Sequence, residues 1–159
     1  MSDIRANFQD NLKRLTACYR KLVGLEELKQ QALVNNKISE IEVITAQEEK
    51  ILFEVSRLEE ERLHWADFFG QEIGKKAEEI TLADLEEKYP ELHTVREELE
   101  EEISCLKKWH ETNTKLLENA VNLVNFTLQA LTGDRQTTYT NPANKKEKAK
   151  TFNLIDKSI

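Results

Sequence analysis

The chain has 159 residues, with 23 basic and 30 acidic side chains and a formal net charge of −7 at neutral pH. That length fits one domain and is too short for a two-domain enzyme with a large ordered cleft. Four glycines and two prolines fall far below the roughly 12% that the pair makes up on average, so the chain has few places to reverse and reads as a small number of long helices.

Ile4, Phe8, Leu12, Leu15, Tyr19 and Leu22 step by three or four and continue through Leu25, Leu28 and Leu33 along one flank of a first helix. Gly24 alone is not enough to end it, whereas Asn35 and Asn36 mark either a break or a tight corner. The second stretch is the clearest. Positions 41, 44, 48, 51, 55, 58, 62, 65 and 69 keep a strict three-four alternation, apolar except at Glu48 and Arg62. A helix from about Lys37 to Gln71 would be roughly 50 Å long, which suits a hairpin of helices.

Gly70 and Gly74 loosen its end, and Thr81 followed by Asp84 resembles a capping box that starts a short helix running to about Lys88. Pro90 closes that helix, so a third long helix should begin near Glu91 to Thr94. Its period runs from Leu92 and Val95 to Leu131, and Gly133 is the natural C-cap. Between Leu116 and Leu131 its apolar residues cover more than one narrow stripe. Either the first two helices flank this half from both sides, or part of it waits for a partner.

The fold class expected is therefore all-α: an elongated antiparallel bundle or hairpin of three long helices with coiled-coil-like packing and a short helix between the second and third. Residues 1–133 form the helical domain, and residues 134–159 a flexible tail. The tail carries +3 and the rest −10. It is polar, basic and turn-prone up to Lys150, then ends in the small apolar cluster Phe152, Leu154, Ile155 and Ile159, long enough to dock as a turn of helix.

The acidic balance gives no reason to expect nucleic acid as the main partner. No apolar run approaches the ~20 residues that span a bilayer, and the opening MSDIRANF lacks the core of a signal peptide; a cytoplasmic chain without stable membrane insertion is expected. Cys18 and Cys105 suit two reduced, mostly buried thiols. His64, His93 and His110 lie in no metal-ligand or nucleophile motif. His64 belongs to a solvated flank, while His110 and Asn113 are placed where polar groups in a helix seam fix register. Catalysis, metals and cofactors are thus disfavoured. What remains is the anatomy of a protein that holds another helix, with the client surface expected around Leu117, Val121, Val124 and Leu128. Self-association through the stripe from Ile41 to Phe69, giving a homodimeric coiled coil, is the alternative.

Several segments carry a resemblance. A leucine-spaced helix from Leu22 to Leu33 runs into Val34 and a short polar break; Glu48, Glu49 and Leu52 lead to the run Leu58, Glu59, Glu60, Glu61, Arg62; Thr81, Leu82 and Leu85 follow in TLADL; and Tyr139 precedes a closing Leu154, Ile155, Asp156, Lys157. In this combination the chain resembles the FlgN family of bacterial flagellar export chaperones. The family often has a glycine after the tail tyrosine, where this chain has Asn141, Pro142, Ala143 and Asn144. The resemblance implies a chaperone for the hook–filament junction proteins FlgK and FlgL, binding their C-terminal helices and delivering them to the flagellar type III export apparatus. The client-binding residues expected from the apolar pattern are Leu117, Val121, Val124, Leu128 and Leu131 with Phe152, Leu154 and Ile155 of the tail, while the resemblance implies that Tyr139 contacts the export machinery or the client.

Overall fold

The computed structural model describes residues 2–133. Four α-helices lie among them: α1 (Ser2–Val34), α2 (Ile38–Ile73), the short α3 (Leu82–Lys88) and α4 (His93–Thr132), with single 3-10 turns at Ala77–Glu79 and Pro90–Leu92. The expected all-helical architecture is the observed one. The expected boundaries hold to within two residues.

The corners follow from local chemistry. Asn36 has φ of 55°, the left-handed conformation that asparagine tolerates better than most side chains. Its N–H bonds back to the Leu33 carbonyl, and that of Lys37 to the Ala32 carbonyl at 2.9 Å. This double closure makes Asn35–Asn36 a tight corner. At the far end of α2 Gly74 takes φ of 78°, and the N–H groups of Gly74 and Lys75 both reach the Gly70 carbonyl. A Cβ on Gly70 would stand 2.6 Å from the Lys75 carbonyl oxygen, so only glycine lets the chain double back there. Thr81 and Asp84 form the reciprocal capping box that opens α3.

Packing is organised around α1. Its closest backbone approaches are to α4 and to α2. Asn11 donates to the Leu58 carbonyl and Arg14 to Glu54, so α1 and α2 run antiparallel. Arg20 pairs with Glu102 and Asn113 with Glu26, so α4 runs parallel to α1. Phe8, Leu12, Leu15, Tyr19 and Leu22 of α1 bury against Val55, Leu58 and Phe69 of α2 and Val95, Leu99 and Leu106 of α4. The α3 segment closes one end through Leu82 and Leu85, where Phe8 and Phe69 meet edge to face at 5.2 Å.

Two expectations are refined. The apolar flank of α1 does not continue evenly, since Leu28 is 51% exposed near the corner. The α2 stripe is occupied inside the chain, with Ile44, Val55, Leu58 and Phe69 all buried, so it is not free to pair with a second copy. Its two charged members are buried as well: Arg62 pairs with Glu59, and Glu48 with Lys29. Cys18 and Cys105 are free thiols, both half-buried. Among the described residues, no helix is long and apolar enough to cross a membrane.

Candidate functional site

One stripe of α4 faces α1 for the first half of the helix: Val95, Leu99, Leu106 and Asn113 are buried, with Ile103 half-buried between them. The same three-four spacing carries on through Leu117, Val121, Val124, Leu128 and Leu131. The partner helix does not. The Arg20–Glu102 and Glu26–Asn113 pairs are 82 and 87 residues apart in sequence, which sets Val34, the end of α1, level with about residue 119. At 1.5 Å per residue, α4 projects roughly 20 Å past the α1–α2 corner.

That overhang is apolar and open. Val121 is 51% exposed and Leu131 78%, with Leu117, Val124 and Leu128 between roughly two-fifths and three-fifths. On the other side of the helix Leu123 and Phe126 are 66% and 70% exposed. Past Asn113 no described residue of α4 is buried. Of the two alternatives the sequence leaves, flanked or waiting, the described helices leave this half unflanked. Gly133 ends it with φ of 66° and an N–H bonded to the Gln129 carbonyl.

A polar cluster sits at the root of the overhang and links all three long helices. Asn113 donates to the Glu26 carbonyl at 2.7 Å and to the Glu26 carboxylate at 2.6 Å. His110 Nδ1 lies 3.5 Å from the same carboxylate, and Lys29 bridges Glu26 to Glu48 of α2, 2.7 Å away. Burial opposes ionisation of Glu26, but the hydrogen bonds from His110 and Asn113 and the charge on Lys29 outweigh it and hold the group at about 2. Glu48 moves the other way: burial, aided by the nearby Glu26 charge, pushes it above the usual carboxylate range despite Lys29. Such a cluster adds little over well-packed apolar residues in the same place, but it is costly to break or misalign, so it fixes where α4 stands against α1 and hence where the overhang begins.

The seam role expected for His110 and Asn113 matches this placement. His64 is exposed on α2, and His93 pairs with Glu86 and Glu97. Among the described residues no group of three or more His, Cys, Asp or Glu could hold a metal ion. Leu117, Val121, Val124, Leu128 and Leu131 come together on one face, whereas Tyr139, Phe152, Leu154 and Ile155 lie outside the described residues. The sequence does not reveal the apolar exposure around the α1–α2 corner, where Leu28, Val34, Ile38 and Val43 are open. Their signal was weak. Apolar residues on a helix that ends look the same as those on a helix that is covered.

No curated protein and no solved structure matches the chain. A family model described as FlgN protein matches residues 1–147, which takes in every described helix and supports a general chaperone role. On that match the chain belongs to the FlgN family.

Proposed function

We propose that the chain is a cytoplasmic export chaperone that binds the amphipathic C-terminal helices of flagellar hook–filament junction proteins of the FlgK and FlgL type. It keeps them from polymerising early and delivers them to the flagellar type III export apparatus. The observation that carries this reading is the α4 stripe that outlasts α1: a seam built for a helix, with its last four turns lacking one. A client helix lying end to end with α1 would complete it.

The magnitudes are adequate. Full burial of a Leu or Val gains about 1.5–3 kcal/mol, so five side chains about half exposed gain roughly 4–8 kcal/mol, and the facing client residues a similar amount. Association and ordering consume about 4–15 kcal/mol. Where that cost lies near the low end of its range, the surplus reaches the roughly 8 kcal/mol of micromolar binding. Phe152, Leu154 and Ile155 would add contacts to the seated client, and Tyr139 would meet the export machinery. Co-expression with a junction protein followed by size exclusion tests the reading. A stable one-to-one complex is expected, and separate elution at micromolar concentration would refute it.

A further inference from the structure

The open stretch of the seam has a property that a client site does not require. Because α1 stops level with about residue 119, a helix laid on the stripe meets Val121, Val124, Leu128 and Leu131. These four are spaced symmetrically about the level of Phe126, two at two residues and two at five residues to either side. The segment from Asn119 to Gly133 also carries no charged side chain, in a chain where 33% of residues are charged. A stripe that is neutral and reads alike in both directions is complementary to itself under a two-fold axis.

We propose that in the absence of client two copies of this chain pair antiparallel through their overhangs, masking the client site. With the axis at the level of Phe126, Val121 lies beside the partner's Leu131 and Val124 beside the partner's Leu128. Only the antiparallel sense fits. A parallel helix in the same place would carry its own helical body alongside the first, bringing two copies of residues 1–133, each of net charge −10, together. In the antiparallel pair the bodies lie at opposite ends. Each helix terminus abuts the partner's corner, where Val34 and Ile38 are exposed. The area covered is on the order of 1,000 Å², below the ~1,200–2,000 Å² of stable specific interfaces, so the pair is weak and exchanges readily. That weakness suits a cover that a client must displace. The masking role rests on the client reading above; the pairing does not.

The test uses the full chain. Sedimentation of the wild type should show mass rising from one chain to two through the micromolar to high-micromolar range, and Val124→Asp should abolish the rise while helicity is retained. In a Cys18→Ser/Cys105→Ser background, a mixture of Val124→Cys and Leu128→Cys chains should oxidise to an intermolecular disulfide several-fold faster than either alone. Phe126→Cys, on the far side of the helix, should not cross-link. A wild-type chain that stays monomeric throughout, or cross-linking at Phe126→Cys in place of the mixed pair, overturns the pairing. Below the dimer range the client reading is tested separately. A chain that dimerises in this register but binds no junction-protein helix defeats only the client reading, and one that binds the helix yet never dimerises defeats only the pairing.

Discussion

Replacing Val124 with aspartate separates a surface awaiting a partner from a surface belonging to the fold. Val124 is 57% exposed, lies beyond the end of α1 and sits in a helix whose later turns contain no buried described residue. Valine and aspartate differ little in helix propensity, so the isolated chain should lose no more than about 0.5 kcal/mol, the usual scale for surface substitutions. In the client complex the side chain loses roughly 1 kcal/mol of apolar burial, and an unpaired carboxylate in an apolar contact adds about 1–3 kcal/mol more. The sum, roughly 2–4 kcal/mol, is a thirty- to thousandfold weakening of Kd. Thermal melting followed by circular dichroism gives the first quantity and titration calorimetry with a junction-protein C-terminal fragment gives the second. A variant that melts several degrees lower with lost helicity would place Val124 in the protein's own core. A stable variant with unchanged affinity would place the client elsewhere.

Other substitutions probe the frame that sets the overhang. Gly70→Ala should destabilise by about 1–3 kcal/mol, since the new methyl meets the Lys75 carbonyl oxygen at 2.6 Å, whereas Gly24→Ala, with open space around it, should stabilise by about 0.5–1 kcal/mol; denaturant midpoints that move together would contradict the packing. Glu26, held down to about 2 in the fold, contributes stability that is present above its ordinary value near 4.5 and is lost as pH falls towards 2. Glu26→Gln should therefore flatten the stability profile between those limits, by up to roughly 3 kcal/mol, and an unchanged acid limb in urea titrations would refute the assignment. Glu48, pushed upward, has the opposite sign: its contribution fades as pH rises through its folded value, so Glu48→Gln should lower stability at pH 7 less than Glu26→Gln does. Thr81→Ala removes half of the capping box and should cost about 1 kcal/mol of unfolding free energy.

Much of the frame is visible in the residues. The stripe from Ile41 to Phe69 specifies α2 because each member lies three or four places from the next, and even Glu48 and Arg62, the charged exceptions, are buried where the period puts them. Asn36 and Thr81 mark their corners because few side chains satisfy a left-handed turn or an exposed helix start. The open end was less legible. The period of α4 passes Asn113 and Leu117 without interruption, so nothing in it says where its partner stops. That depends on the offset between α1 and α4, which is set by the pairing of Glu26 with Asn113 across 87 residues. Likewise, Leu28 falls on an apolar flank by spacing yet is exposed.

The central position of α1 bears on the order in which the molecule is made. Its pairing with α2 links neighbours in sequence and can close soon after both leave the ribosome, while its other side is matched by residues more than eighty places later. During that interval the nascent hairpin presents a half-finished oily flank and a Glu26 held by Lys29 but not yet by Asn113 or His110, so the last helix to emerge completes the oldest part of the chain.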